Sequence, residues 1–267
     1  MRRGRPSTTA TLVACARAAA GVDPIARRLV PRALSFLGRP ARWSSPMTPL
    51  VELMRLRTKA IDAAVAGAAG RGTSQLVILG AGLCARAWRM SELHGSIVYE
   101  VDHPATQSYK RSRLEGVAPL ARAVRFVPVD FERDDLGRAL EDAGHDASAP
   151  TTWIWEGVTP YLTPDAIAST LGIVRARSTE GSTIALTYYP PSNRRNHPML
   201  HAVSFGARIL GEPFRGLTSV EAMHALLART GFAVQDDASH LELAKRMGLR
   251  RTWLAIDERV VVAAART

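Results

Sequence analysis

The sequence predicts an α/β fold of the doubly wound class, and three observations predict it. From about residue 75 short aliphatic runs alternate with amphipathic segments, as in a parallel sheet covered by helices on both faces. The first of these runs, LVIL, passes straight into the glycine turn Gly80-Ala81-Gly82. Each of the next three runs then closes on an acidic residue, at Asp102, Asp130 and Glu156.

Taken in order, the aliphatic runs predict seven strands, at 76–79, 97–101, 124–129, 152–155, 183–188, 232–235 and 260–264. The last two suit an antiparallel edge on a mostly parallel sheet. Amphipathic segments at 104–114, 136–143, 164–177, 202–210 and 220–230 predict helices between them. After Tyr188 the pattern gives way to the proline-rich YYPPSNRRNHP. Before residue 75 the chain reads as helices alone, broken by prolines at 24, 31, 40, 46 and 49. The start, MRRGRPSTTATLVACARAAAG, has the basic front and apolar middle of an export signal. Arg17 interrupts the apolar run, however, and Leu12, Cys15, Ala16 and Ala19 fit an amphipathic helix followed by the helix-start pair Asp23-Pro24. The organisation expected is an N-terminal helical lid over 1–70 and a core over 71–267, with an insert at 189–215.

At 267 residues, 46% hydrophobic and 22% charged, the chain is long enough for one large domain with a substantial core. No apolar run approaches the length of a membrane span, so a soluble protein is expected. The two cysteines, Cys15 and Cys84, make no disulfide framework, and the seven histidines have no metal-ligand spacing, so the reading is of a reduced cytoplasmic protein without a metal. Charge is uneven. Residues 1–59 hold twelve basic and two acidic side chains, a net of +10, whereas the other 208 residues hold 23 basic and 22 acidic, a net of +1. Nucleic acid is disfavoured as a partner because only Phe36 and Trp43 interleave with the basic residues, and a small anionic substrate, or no specific partner, is preferred. Oligomeric state is not legible.

In a doubly wound sheet the ligand sits beyond the carboxyl ends of the strands, near the point where strand order reverses. Glycine permits a tight turn there and lets a ligand approach the backbone. Residues 80–85 also satisfy the looser G-x-G-x-x-A dinucleotide fingerprint, so the glycines do not choose between cofactors. Asp102 stands twenty-two residues after Gly80, where an acid accepts both hydroxyls of an adenosine ribose. Glu100 shares its side of the strand, either as a second ligand-facing acid or as an ion-paired one. A row of carboxylates suits a nucleoside bearing a sulfonium and an ammonium better than a pyrophosphate.

Several segments together, RTKAID at 57–62, LGAGLCARAWR at 79–89, YEVDHPATQSYK at 99–110, VPVDF at 127–131 and PTTWIWEGVTPYL at 150–162, resemble the leucine carboxyl methyltransferase family of S-adenosylmethionine-dependent methyltransferases, in particular its bacterial branch. Weaker similarity extends toward both ends. The resemblance implies a Rossmann-like class I methyltransferase fold with S-adenosyl-L-methionine as cofactor. It implies that Arg57 grips the carboxylate of the methionine half and that Gly80 and Gly82 pass under the cofactor. It further implies that Asp102 holds the ribose, Asp130 and Phe131 flank the adenine, and Glu156 lies near the methionine end. The family usually has Asp-Thr where this chain has Cys84-Ala85. Tyr161, His197 and His201 are candidates for the acceptor side, the histidines as bases if the acceptor is a hydroxyl. The expected reaction is O-methylation of a small, anionic acceptor. An NAD(P)-dependent reductase on the same fold and a non-catalytic S-adenosylmethionine-binding protein are the alternatives.

Overall fold

The computed structural model describes residues 8–31, 48–131, 133–191, 215–249 and 258–266. Its centre is a seven-stranded sheet in the order β3-β2-β1-β4-β5-β7-β6. The strands are β1 (Gln75–Leu79), β2 (Ile97–Asp102), β3 (Ala123–Pro128), β4 (Thr151–Trp155), β5 (Thr183–Tyr188), β6 (Phe232–Ser239) and β7 (Arg259–Ala265). All seven lie where the aliphatic runs predict them. The pairs from β3 through β5 are parallel, and β7 runs antiparallel to both its neighbours. Strand order reverses between β1 and β4, which places the switch point there.

Before the sheet come α1 (Thr8–Ala20), the single turn α2 (Ala26–Leu29) and the long α3 (Thr48–Gly70). Along and after it come the single turn α4 (Arg86–Arg89), α5 (Pro104–Arg113), α6 (Leu136–Asp142), α7 (Pro164–Ala176), α8 (Val220–Arg229) and α9 (His240–Arg246). Local chemistry starts these helices. Asp135, Thr163 and Ser219 accept backbone N–H groups at the starts of α6, α7 and α8, and Pro104 and Pro164 take first-turn positions that need no donor.

Successive side chains of a strand face opposite ways, so each strand feeds two cores. Val77, Leu79, Tyr99, Val101, Trp153 and Trp155 pack against α6, α7 and α8. Leu76, Ile78, Val98 and Ile154 pack on the other face with Leu56, Ile61 and Val65 of α3. The expected boundary at residue 70 therefore does not coincide with a break in packing: α3 belongs to the same core as the sheet, while α1 lies against α3 through Ala16, Ala19, Met54 and Val51.

Three elements differ from expectation. The segment after the glycine turn is a single helical turn, α4, followed by a 3-10 turn at Ser91–Leu93. β6 extends four residues past the expected end at 235, across an irregularity between Val234 and Asp236. α9 is unanticipated although Ser239 and Glu242 form a capping box at its start. The helix expected at 202–210 lies outside the described residues. No described helix is long and apolar enough to cross a membrane, and no group of acidic, cysteine or histidine side chains among the described residues is arranged for a metal.

Two buried histidines set an acid limit on this fold. Burial first, then the nearby Arg57, lowers His240 to about 3, and burial with Arg177 lowers His145 to about 4. In the unfolded chain both take up a proton near 6.5, so on acidification the unfolded state is charged first. Their contribution to stability is complete above about pH 6.5 and falls as the pH drops toward 3. The melting temperature is expected to decline across that window in wild type, and the decline to flatten in His145→Gln.

Candidate functional site

The site begins where β1 and β4 end side by side. Leu79 pairs with Trp155 in register, so Gly80 and Glu156 leave the sheet as neighbours at the switch point. Gly80 has φ 65°, and a Cβ on it would stand 2.5 Å from Val158 Cγ2, so glycine is required on both counts. Gly82, at φ 51°, lies under Ala10 of α1, 3.5 Å from the place a Cβ would take. α1 therefore passes over the glycine turn.

One strand further out, Asp102 closes β2 and holds the turn from the side. Its Oδ2 accepts the Gly82 N–H at 2.6 Å and its Oδ1 the His103 N–H at 2.7 Å. Burial raises its pKa from the usual aspartate value, with the two amide bonds opposing. Each oxygen keeps a lone pair for a further donor. His103 serves as a helix cap, its Nδ1 accepting from Ala105 N–H at 3.1 Å.

Glu100 requires a correction. It does share the side of β2 with Asp102, but it is 1% exposed and its carboxylate meets Lys110 Nζ at 2.6 Å. The geometry supports the ion-paired reading of Glu100, whose other oxygen, Oε1, is buried without a hydrogen-bond partner. Lys110 also donates to the carbonyl oxygen of Cys84, which ties the glycine loop to β2 from beneath. Burial raises Glu100, and Lys110 counters it. Lys110→Met is expected to cost on the order of 2–3 kcal/mol in urea unfolding near neutral pH, because a carboxylate is left buried without its partner. That cost is expected to shrink in mild acid, where Glu100 accepts a proton.

Glu156 is the hub of the site. Its Oε1 accepts from Arg17 Nη2 at 2.6 Å and Arg57 Nε at 2.7 Å, and its Oε2 from Arg86 Nη1 at 2.8 Å. Burial would raise this carboxyl, but the three guanidiniums outweigh it and hold Glu156 well below the usual range. Arg57 bonds on to Glu258 through Nη1, at 2.9 and 3.3 Å to its two oxygens, with His240 Nε2 at 3.7 Å behind. Asp62 of α3 braces Arg86 at 2.7 Å and Arg89 at 2.7 Å, and Asp23 lies 3.6 Å from Arg89. Asp23 also accepts the N–H groups of Ile25 and Ala26, the helix start its sequence position predicts.

This network changes the electrostatic argument made from sequence. The carboxylates do gather along one edge of one sheet, but they do not form an acidic rim. Glu156 is enclosed by arginines and Glu100 is neutralised by Lys110. The four arginines 17, 57, 86 and 89 stand against four acids, 23, 62, 156 and 258, a balanced cluster.

Asp130 and Phe131 follow β3 on the same edge, with the Phe131 ring 41% exposed and the Asp130 backbone N–H bonded to Asp134 Oδ2 at 2.7 Å. Tyr161 lies half-buried in the 3-10 turn Thr159–Tyr161 beyond β4. His197 and His201 lie outside the described residues. Cys84 and Ala85 are buried, and the Cys84 thiol lies 3.3 Å from Arg86 Nη1, so these residues fill space behind the loop. Sequence reasoning missed Arg17, Asp23, Asp62, Arg86, Arg89 and Glu258 as members of this cluster. Arg17 did carry a signal, as a lone arginine inside an apolar helical face; Glu258, in the connection before β7, carries none.

Comparison with known proteins follows the same line. The model of the leucine carboxyl methyltransferase family matches residues 8–175. A protein of Mycolicibacterium vanbaalenii, named provisionally as an S-adenosyl-L-methionine-dependent methyltransferase, is 37% identical over 206 residues, covering 68% of this chain and 66% of the relative. A protein of the same provisional name from Mycolicibacterium gilvum is 36% identical over 227 residues, covering 78% and 71%. The chain thus spans about two thirds of the length of these relatives. Among solved structures, a provisional methyltransferase from Thermobifida fusca superposes with a TM-score of 0.63 at 18% identity over 99% of this chain and 96% of that one. The magnesium protoporphyrin IX methyltransferase of Synechocystis gives 0.53 at 11% identity over 82% and 87%. At these identities the two structures speak for the fold.

Proposed function

Because the chain belongs to the leucine carboxyl methyltransferase family, we propose that it binds S-adenosyl-L-methionine at the carboxyl edge of β2, β1 and β4 and methylates an oxygen of a small acceptor, with a carboxylate favoured. The observation that carries this reading is the convergence of Gly80, Asp102 and Glu156 at the switch point, on three adjacent strands. The cradle fits the group. Gly80 makes the tight turn that brings the loop to the strand ends, Asp102 has lone pairs beyond its two amide bonds, and Phe131, 41% exposed, offers an apolar face to an adenine. The balanced arginine and carboxylate cluster around Glu156 is the place for the methionine end. Cys84 and Ala85, in place of the family's usual Asp-Thr, are both buried, and the Cys84 sulfur accepts from the same Arg86 nitrogen that bonds to Glu156.

S-adenosylmethionine, when bound, supplies the electrophilic methyl. The protein's part is orientation and exclusion of water: Asp102 and Glu156 fix two ends of one ligand, and α1 covers the turn between them through Ala10 and Arg17. A carboxylate acceptor is ionised at neutral pH and needs no base. That suits a site whose acids Asp62, Asp102, Glu156 and Glu258 are already engaged by arginines or amides.

The dinucleotide alternative loses support on one point. A pyrophosphate needs a glycine turn that opens a full helix with free N-terminal amides. Here α4 is one turn long and the Gly82 N–H is taken by Asp102. Incubating the purified protein with S-adenosylmethionine and a panel of small carboxylic acids and phenols tests the proposal. Release of S-adenosylhomocysteine with a methyl ester as co-product is the expected result. Binding of S-adenosylmethionine without turnover on any acceptor would favour a non-catalytic binding protein.

A further inference from the structure

The helix that covers the glycine turn is weakly anchored by apolar burial. Five of the eight buried residues of α1 are alanines, Ala14, Ala16, Ala18, Ala19 and Ala20, each bringing one methyl to the interface. Hydrophobic stabilisation grows with the apolar area removed from water, so α1 is held less firmly than α3, which buries Val51, Leu53, Met54, Leu56, Ile61 and Val65. Polar ties therefore decide whether residues 8–30 stay down.

Those ties stand at two places. In α1, Arg17 meets Glu156 at 2.6 Å. At the end of α2, three successive carbonyls are taken by two side chains of α5. Arg113 donates from Nε to the carbonyl of Arg28 at 2.8 Å and from Nη2 to that of Val30 at 3.0 Å, and the Tyr109 hydroxyl donates to that of Leu29 at 3.0 Å. The last carbonyls of a helix have no partner within it and commonly turn to water or to a capping glycine. Here Pro31 follows instead, and α5 supplies the donors. Tyr109 and Arg113 are four residues apart, so they share one face of α5 and act on α2 together.

The segment they hold lies across the proposed site. Ala10 stands over Gly82, and Arg17 closes on Glu156, whose side chain is 5% exposed. A ligand seated along these groups meets α1 in its path. Because α3 is built into the core of the sheet, the part of the N-terminal region free to lift is 8–30 rather than all of 1–70.

We propose that residues 8–30 open from the strand ends as a unit, that Tyr109 and Arg113 are the latch that sets how often they do so, and that this opening gates entry and release of the nucleoside. The gate rests on the cofactor reading above; the latch does not. Both latch residues are positioning residues, acting on the ligand only through α2.

Hydrogen exchange of the full chain, read by mass spectrometry in wild type, Y109F and R113Q, tests the latch. In wild type the amides of α1 and α2 are expected to exchange faster than those of α3 and β1. Each variant should speed exchange in residues 8–30 at least about fivefold, the worth of one lost hydrogen bond, with α3 and β1 unchanged within about twofold. Y109F removes a hydroxyl and keeps the ring, so it carries the test if R113Q folds poorly. Stopped-flow binding of S-adenosylhomocysteine tests the gate. Association and dissociation should both quicken at least about fivefold in either variant, while the affinity stays within about twofold of wild type, because the latch touches no ligand atom. Unchanged exchange in 8–30, or an equal rise in α3 and β1, would overturn the latch. Faster exchange with unchanged binding rates, or an affinity loss carried by dissociation alone, would overturn the gate and leave the cofactor reading intact. Wild type that binds no S-adenosylhomocysteine would remove the cofactor reading and the gate with it.

Discussion

Glu156→Ala is expected to lower stability by about 3–5 kcal/mol, because three guanidiniums converge on that carboxylate at 2.6–2.8 Å and none has solvent to fall back on. Burial has already stripped water from Arg57 and Arg86, whose side chains are 5% and 1% exposed. Removing the acid leaves like charges facing one another in a poorly solvated space. Glu156→Gln keeps the shape and one acceptor oxygen, so it should lose less stability while still losing S-adenosylhomocysteine affinity. Urea unfolding of the two variants checks the point. A loss below about 1 kcal/mol in Glu156→Ala would mean that the arginines find water or other partners, and that Glu156 is not the hub described here.

Gly80→Ala is expected to be comparably damaging by a different route. A left-handed backbone costs a residue with a side chain about 1–2 kcal/mol, and a methyl 2.5 Å from Val158 Cγ2 adds strain of about 1–3 kcal/mol. Chain and valine then have to part, and the turn opens away from Asp102. Both a lower unfolding midpoint and a loss of nucleoside binding should follow. The double variant Gly80→Ala, Val158→Ala separates the causes: it should recover the steric part and retain the backbone part. Full recovery would show that φ at Gly80 adds no strain of its own.

Much of the fold is legible because parallel strands covered on both faces must be aliphatic throughout. VILG, IVYEVD and WIWEG announce β1, β2 and β4 by burial alone. β6 is harder to see at its far end, where Asp236 and Asp237 imitate a turn. In the structure Asp237 is buried on Arg259 and the Tyr188 hydroxyl, so the acids there are partnered strand residues. α9 was masked by its short length, although the capping pair Ser239 and Glu242 was available to find it.

The strand-end acids are legible in position and illegible in pairing. An acid at a strand tip is set by local sequence, and Asp102, Asp130 and Glu156 all fall where the runs end. What each acid meets is decided by tertiary structure. Arg17 reaches Glu156 across 139 residues, and Glu258 reaches Arg57 across 201. No periodicity encodes such contacts. Glu100 shows the consequence: its strand position matches that of Asp102, and its pairing is decided by Lys110, ten residues on in the following helix.

The most direct test of the account is calorimetric titration of the purified protein, in wild type and in Asp102→Ala, with S-adenosylhomocysteine and separately with a nicotinamide dinucleotide. The account predicts saturable binding of S-adenosylhomocysteine to wild type, at least about tenfold weaker binding when Asp102 is replaced, and no binding of the dinucleotide. Binding of the dinucleotide in place of S-adenosylhomocysteine, or an affinity for S-adenosylhomocysteine that does not depend on Asp102, would contradict it.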